Sequence, residues 1–231
     1  MASGLSGAGQ LPLDLPHTGS FERDDFLISP ANERAFGLIA GWPDWPSPVV
    51  LLAGPVGSGK SHLAHIWAAE ANARIVEAAG LTADAVAGLA AAGAVVVEDC
   101  HDPRLDQAAL FHLINALRAQ GGSLLVTTRI WPQSWSDALP DLVSRLRQAT
   151  PAELGEPDDT LLEQVLVKLF SDRQVVVESS VIQFIVARME RSLQSANEIV
   201  ALLDRRALAE GRRITRPWVA EILRSVGEPA P

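Results

Sequence analysis

The sequence is poor in the residues on which several protein classes depend. It contains one cysteine, Cys100, which excludes an intrachain disulfide and a cysteine-rich zinc site. Only two of its 19 basic residues are lysines, Lys60 and Lys168. No apolar run approaches the roughly 20 residues that cross a membrane, and residues 1–9 lack the basic start and apolar stretch of a signal peptide. We therefore expect a soluble cytoplasmic protein with no membrane partner.

The charge balance argues against a protein whose main task is to hold nucleic acid. Acidic residues outnumber basic ones, 28 to 19, which gives a formal net charge of −9. Proteins that bind DNA without regard to sequence are usually basic. The 231 residues of the chain are enough for one α/β domain and a small second one. Hydrophobic residues make up 48% of them, so each domain can form a core. We expect no direct sequence-specific DNA binding.

Strand and helix patterns alternate through the first two thirds of the chain. Apolar runs typical of buried strands occupy residues 48–53, 94–97 and 123–128, and helical repeats lie between them at 61–73 and 106–120. Such alternation predicts a parallel, layered sheet.

The pattern changes after Thr150. Residues 151–159 are polar with two prolines and are interpreted as a linker. Helical repeats follow near residues 160–172, 179–190, 192–210 and 216–226. The predicted division is a flexible segment at 1–20, an α/β domain at 21–150 and a helical domain at 151–231.

A phosphate-binding loop follows the first buried strand. The motif G-x-x-x-x-G-K-[S/T] is matched in full by Gly54, Pro55, Val56, Gly57, Ser58, Gly59, Lys60 and Ser61. Its glycines allow backbone N–H groups to point inward, and the following helix adds the positive end of its dipole. Lys60 can reach the β and γ phosphates, and the Ser61 hydroxyl can bind Mg²⁺. ADP or ATP with Mg²⁺ is the predicted ligand.

An acidic pair ends the second buried strand. Glu98 and Asp99 follow Val95–Val97, where a P-loop protein holds its metal ion and the attacking water. We assign Glu98, with Ser61, to the metal and Asp99 to the water. His62 and His65 lie on one helix, but no third ligand is evident, so a separate metal site is not expected.

The loop and three later segments resemble the Hda family of AAA+ regulators, which are related to the replication initiator DnaA. Ser61-His62-Leu63-Ala64-His65 is similar to that family's "GKTHLLHA" segment, and the similarity covers roughly residues 10–226. The other matching segments are Ser144-Arg145-Leu146, Arg191-Ser192-Leu193 and Ile214-Thr215-Arg216-Pro217-Trp218-Val219. The implied fold is an AAA+ P-loop domain followed by a helical lid.

Two features favour Hda over DnaA within this resemblance. The chain ends at Pro231, where DnaA continues into a DNA-reading domain. Gln10 to Leu15 resembles the hexapeptide with which Hda binds the sliding clamp of DNA polymerase III, although Asp14 replaces the usual proline. The implied clamp-binding side chains are Gln10, Leu11, Leu13 and Leu15.

The resemblance also implies how such a protein acts. Arg145 would be an arginine finger that acts in trans on ATP bound by DnaA and stimulates its hydrolysis, which would prevent re-initiation of chromosome replication. Arg147 is the alternative. Arg191, Thr128 and His62 would contact the chain's own nucleotide. AAA+ proteins usually place aspartate first in the acidic pair, so the order Glu98-Asp99 predicts weak or absent intrinsic hydrolysis. A homodimer is compatible with this reading.

Two other functions remain open at this point. One is a self-sufficient AAA+ ATPase, such as a loader or remodeller. The other is a nucleotide-binding adaptor that does not stimulate hydrolysis by a partner.

Overall fold

A computed structural model of the protein describes residues 22–135 and 138–227. Within these ranges the chain forms a five-stranded sheet with helices on both faces, followed by four helices with a core of their own. The predicted clamp-binding segment at 1–20 lies outside the described residues. In the described part of the chain, no helix combines the length and apolarity needed to cross a membrane.

The sheet is parallel throughout, in the order β2-β3-β4-β1-β5. Its central strands β1, β3 and β4 are almost wholly buried, since both faces are covered, which explains their continuous apolar sequences. The strands are β1 (Val49–Ala53), β2 (Arg74–Glu77), β3 (Ala94–Glu98), β4 (Ser123–Thr128) and β5 (Thr150–Glu153).

Two apolar layers form on the two faces of the sheet. In β3, Val95 packs in the layer that contains Leu113 of α4, whereas Val96 packs in the opposite layer with Leu63 and Trp67 of α2. This follows from the period of two along a strand. The helices of this domain are α1 (Glu33–Ala40), α2 (Lys60–Ala71), α3 (Val86–Ala91), α4 (Gln107–Gln120) and α5 (Pro140–Leu146).

The helical domain has a separate core. Leu166 and Phe170 of the first helix, Ile185 of the second and Val200 of the third are almost completely buried in it. The side chain of Asp158 accepts a hydrogen bond from Leu161 N and caps the first helix. The helices are α6 (Asp159–Asp172), α7 (Ser179–Val186), α8 (Leu193–Glu210) and α9 (Arg216–Gly227).

One strand lies where the sequence predicted a linker. Residues 150–153 form β5, which pairs with β1 alone and is therefore an edge strand. Leu154 N donates to Ala53 O, so backbone N–H groups two residues apart face β1 and the position of Pro151 faces outward. A proline that lacks its N–H is tolerated there. The sequence did not predict this strand because a proline usually argues against a β-strand.

The predicted fold class is confirmed: a parallel layered α/β domain is followed by a helical domain. The four predicted lid helices are present, although α7 ends at Val186 rather than near residue 190.

Candidate functional site

The phosphate-binding loop connects β1 to α2 in a conformation that only glycine adopts readily. Gly57 has a φ of 69° and Gly59 a φ of 96°, both in the left-handed region. A Cβ atom on Gly54 would lie 2.7 Å from the carbonyl oxygen of Leu154. The loop is therefore packed tightly against the carboxyl end of the sheet, and it leads directly into the first turn of α2 at Lys60.

Lys60 lies folded over its own loop. Its Nζ donates hydrogen bonds to Gly54 O at 2.9 Å and to Pro55 O at 2.7 Å. The residue is only 8% exposed. Burial lowers the pKa of Lys60, and the charge of Asp99 partly opposes that shift. The two carbonyl groups hold the ammonium group of Lys60 beside the loop, where a phosphate oxygen could accept a hydrogen bond from it.

Glu98 and Ser61 lie together behind the loop. Glu98 is 6% exposed, and its Oε1 has no hydrogen-bond partner among the described residues. Burial raises the pKa of Glu98, and a hydrogen bond with Ser61 opposes this. An unsatisfied carboxylate oxygen beside a hydroxyl fits Mg²⁺, which prefers oxygen ligands and keeps few from the protein. In the described ranges, no cluster of three His, Cys, Asp or Glu side chains offers a separate metal site.

Asp99 occupies a different environment from Glu98. Its φ is 55°, and its backbone N donates to Thr127 Oγ1 at 3.0 Å. Its Oδ1 lies 3.8 Å from Nδ1 of His101, and burial lowers the pKa of that histidine. Asp99 lines the cleft described below. The structure thus buries the first carboxylate and presents the second to the open side of the site.

A cleft of about 810 Å³ lies between the loop and the helical domain, which touch each other at one end of the cleft. Leu193 N, at the start of α8, donates to Gly57 O at 2.8 Å. A Cβ atom on Gly57 would lie 2.6 Å from Cβ of Ser192, so the two domains touch closely at this point. Six residues predicted to contact nucleotide line this cleft: Val56, Gly57, Gly59, Lys60, Ser61 and His62.

The remaining residues of the phosphate-binding loop face away from the large cleft or are buried beneath the loop. Gly54 and Pro55 line a second, smaller cleft, and the Oγ atom of Ser58 is buried without a hydrogen-bond partner in the described part of the chain.

The far end of the large cleft is apolar and aromatic. The ring of Phe26 meets the ring of His62 edge-on at a centroid distance of 5.3 Å. Leu27 and the lid residues Val165 and Leu169 also line this end. Burial lowers the pKa of His62. An apolar slot of this kind suits a flat base, whereas the loop end suits phosphates.

A salt bridge joins the two domains beside that slot. Nζ of Lys168, on α6, lies 2.8 Å from Oδ1 of Asp25 and 2.9 Å from Oδ2 of Asp172. These hydrogen bonds raise the pKa of Lys168. The lid is therefore connected to the α/β domain at both ends of the cleft.

Outside the loop, two residues predicted to contact nucleotide do not line the large cleft. Arg191 Nη2 donates to Asp159 Oδ1 at 2.6 Å, and the residue faces the start of α6. Thr128 is fully buried at the end of β4, and its hydroxyl donates to Ile130 O at 2.7 Å. Their proposed contacts with nucleotide stay predictions.

Arg145 lies in the last turn of α5 and does not line either cleft. Its neighbours in that helix, Leu142 and Leu146, are buried in the sheet layer and fix the orientation of the turn. Arg145 is half-buried and Arg147 is exposed. Among the described residues, the Arg145 side chain has no hydrogen bond or ion pair.

The sequence reasoning missed several cleft residues. Arg129, directly after β4, lines both clefts, and Gln194 and Asn197 line the large one from α8. Arg129 had a usable signal, since it follows a buried strand. Phe26 and the α8 amides had none, because their distance from the loop in sequence hides their proximity to it.

Comparison with known families and proteins identifies two relationships. Residues 159–223 match the family described as "Hda, lid domain". The chromosomal replication initiator protein DnaA of Caulobacter vibrioides is 28% identical over 235 residues, which cover 88% of this chain and 48% of DnaA. The chain spans about half the length of the curated relatives it matches.

Solved structures share the fold. Domain III of DnaA from Thermotoga maritima superposes with a TM-score of 0.76 at 18% identity, covering 90% of this chain and 98% of that domain. DnaA from Aquifex aeolicus bound to AMPPCP gives a TM-score of 0.65 at 17% identity, covering 78% of this chain and 63% of that one.

Proposed function

We propose that this chain, which matches the Hda lid-domain family at residues 159–223 and is similar to DnaA, is a nucleotide-dependent regulator of DnaA. In this proposal it binds an adenine nucleotide, ADP or ATP, and stimulates hydrolysis of the ATP held by DnaA. The consequence would be to prevent re-initiation of chromosome replication.

The proposed nucleotide site uses the two chemically different ends of the cleft. The loop amides, the start of α2 and Lys60 would take the phosphates, while Phe26, Leu27 and the apolar face of α6 would enclose the base. The AMPPCP bound by the Aquifex aeolicus structure supports this choice of ligand.

Metal binding would fall to Ser61 and Glu98. Bound there with a nucleotide, Mg²⁺ would supply positive charge that offsets the negative charge of the phosphates. Glu98 would contribute the carboxylate oxygen that has no partner in the described structure, beside the Ser61 hydroxyl. Asp99, on the open side, would orient a water, but its short side chain gives it little reach. We therefore propose weak or no hydrolysis by this chain alone.

One observation carries the regulatory part of the proposal: Arg145 is held by a packed helix but does not line the cleft of its own chain. In this proposal its guanidinium acts on the γ-phosphate bound by another molecule rather than on a nucleotide in its own cleft. Bidentate donation to a phosphate stabilises the charge that develops during transfer and contributes about 10³–10⁵ in rate in well-studied NTPases.

A direct test mixes the purified protein with DnaA loaded with labelled ATP, sliding clamp and DNA, and follows ADP formation. We expect Arg145→Ala to lower the stimulation about a thousandfold, to the background rate of DnaA. Arg147→Ala is the matched control, since it removes an exposed arginine two positions away, and should retain the stimulation.

The regulatory proposal would be abandoned if Arg145→Ala stimulated DnaA as well as the wild type. Loss in the Arg147→Ala variant instead would move the role to the neighbouring residue. Rapid ATP turnover by this protein alone, at about 1 s⁻¹ or more, would instead support a self-sufficient ATPase.

The sliding clamp is the second proposed partner. Gln10 would hydrogen-bond at the mouth of the clamp pocket, and Leu11, Leu13 and Leu15 would fill its apolar groove. These residues lie outside the described ranges, so the support comes from the sequence pattern alone. Gln10→Ala in the same assay separates the two contacts: it should weaken stimulation that depends on the clamp and leave nucleotide binding unchanged.

A further inference from the structure

We propose that the helical domain carries a surface that binds the phosphate backbone of double-stranded DNA without regard to its sequence. This surface, the arginine face, consists of Arg188 and Arg216, which lie over the ring of Phe184, together with the neighbouring Arg213. None of these residues lines either cleft. The inference therefore goes beyond the proposed function and depends on neither nucleotide nor DnaA.

Positive charge is concentrated where α8 leads into α9, although the chain as a whole is acidic. Residues 205–216 contain five of the 17 arginines and one acidic residue, Glu210, in a chain with a net charge of −9. Glu210 is already engaged: its Oε2 accepts a hydrogen bond from Trp218 Nε1 at 3.0 Å and lies 3.7 Å from Arg212 Nη1. The other arginines of this segment therefore have no carboxylate within it to neutralise them.

The fold adds a further arginine to this charge from the end of α7. The Cζ atom of Arg188 lies 3.8 Å from the ring centroid of Phe184, and that of Arg216 lies 5.1 Å from the same centroid. Arg213 is three residues from Arg216. All three arginines are exposed, and none has an ion pair among the described residues. Like charges that are held together without neutralisation create a local positive potential, which attracts a polyanion.

Contact with the aromatic ring holds two guanidinium groups in place and leaves most of their donors free. Arg188 donates one hydrogen bond, from Nη1 to Phe184 O at 3.3 Å, and the side chain of Arg216 donates none within the described residues. A guanidinium that meets a ring through its face keeps the N–H groups at its edge available for phosphate oxygens. The first turn of α9 begins at Arg216 and adds the positive end of the helix dipole.

The surroundings of the arginine face favour a DNA duplex over a membrane or a protein. Trp218, Val219 and Ile222 of α9 are buried in the core of the helical domain, so this helix has little apolar surface to insert into lipid. Protein interfaces usually centre on an apolar or aromatic anchor, whereas the Phe184 ring is covered by arginines. The same cover keeps this ring from stacking on the bases of a single strand. The phosphates of a duplex require only the charges.

The contact is expected to be weak by itself. The net charge of −9 opposes the approach of DNA. Three arginines release about three counterions from a duplex, so a plot of log K against log salt concentration should have a slope of about −2 to −3. Such a contact mainly orients a protein that another partner already holds on DNA, because tethering raises the local concentration of the duplex to about the millimolar range.

Fluorescence anisotropy of two labelled duplexes of unrelated sequence, measured over a range of salt concentrations, tests the proposal. We expect the wild type to bind both duplexes equally at about 50 mM salt. Arg188→Gln combined with Arg216→Gln should weaken this binding at least about tenfold and make the slope shallower by about 2. Arg216→Lys keeps the charge and should keep the slope. Arg34→Gln removes an exposed arginine of α1 and serves as the matched control, with binding within about twofold of the wild type.

Each outcome supports or overturns the proposal. Each single glutamine variant should make the slope shallower by about 1, which keeps the test available if the double variant melts early. The proposal is overturned if the wild type binds neither duplex at low salt, or if all the glutamine variants bind as the wild type does. Tighter binding to vesicles of phosphatidylcholine and phosphatidylserine than to DNA would identify a membrane surface instead. Displacement of the duplex by polyglutamate as readily as by unlabelled duplex would identify an acidic protein segment as the partner.

Discussion

Replacing Gly57 by alanine should uncouple the lid from the phosphate-binding loop. Two costs are expected. Alanine at a φ of 69° costs about 1–2 kcal/mol of backbone strain. In addition, its Cβ would lie 2.6 Å from Cβ of Ser192, so the lid must move away and lose the bond from Leu193 N to Gly57 O, worth about 0.5–1.5 kcal/mol.

Gly121→Ala provides a matched control for the backbone strain. Gly121 has a φ of 71°, but a Cβ there would meet nothing within 4 Å. Both variants therefore share the strain, and only Gly57→Ala disturbs the lid. We expect Gly121→Ala to lower the free energy of unfolding by about 1–2 kcal/mol and Gly57→Ala by about 1.5–3.5 kcal/mol.

Thermal unfolding followed by tryptophan fluorescence measures the difference, at roughly 2–4 °C for each kcal/mol in a chain of this size. ADP titration is the second readout, in which Gly57→Ala should bind at least tenfold more weakly and Gly121→Ala should resemble the wild type. The reasoning is refuted if the two variants melt together and both retain ADP binding, since the contact with Ser192 would then have no energetic consequence.

Two further predictions concern the carboxylate behind the loop and the salt bridge at the other end of the cleft. Because burial raises the pKa of Glu98, its ionised form opposes folding. This cost builds up as the pH rises from the ordinary pKa of a glutamate in the unfolded chain to the raised pKa, and it is complete above the raised pKa. Glu98→Gln should therefore melt a few degrees above the wild type near pH 8 and together with it near pH 4; equal melting at both values would contradict the effect. Lys168→Ala removes the connection of the lid to Asp25, a part-exposed bridge worth about 0.2–1 kcal/mol, so ADP should dissociate up to about fivefold faster in stopped-flow displacement. An unchanged rate would show that this bridge does not restrain the lid.

The sequence predicted those parts of the molecule whose physical rules are local. The motif from Gly54 to Ser61 and the apolar run of β1 each depend on neighbouring residues, so both appeared in the right place and the right order. The lid helices followed from their apolar repeats for the same reason. Resemblance to a family added the expectation of a lid, which the match at residues 159–223 confirms.

The sequence could not predict features that depend on side-chain direction across the fold. Arg191 lies one residue before Ser192, which touches the loop, yet the arginine pairs with Asp159 on the other side of the helix start. Gln194 faces the cleft instead. The choice between them is set by the angle at which α8 meets the loop, and no local pattern encodes that angle.

The outward-facing proline of β5 has a consequence for how this molecule can assemble. Another chain can add a strand to the free edge of a sheet, because the backbone N–H and C=O groups along that edge are unpaired. Pro151 is the second residue of β5, which is only four residues long, and it interrupts that row of donors. Addition of a strand at this edge is therefore disfavoured. Another protein that contacts this edge would do so through side chains rather than through continuous backbone pairing, and such contacts can be specific and reversible.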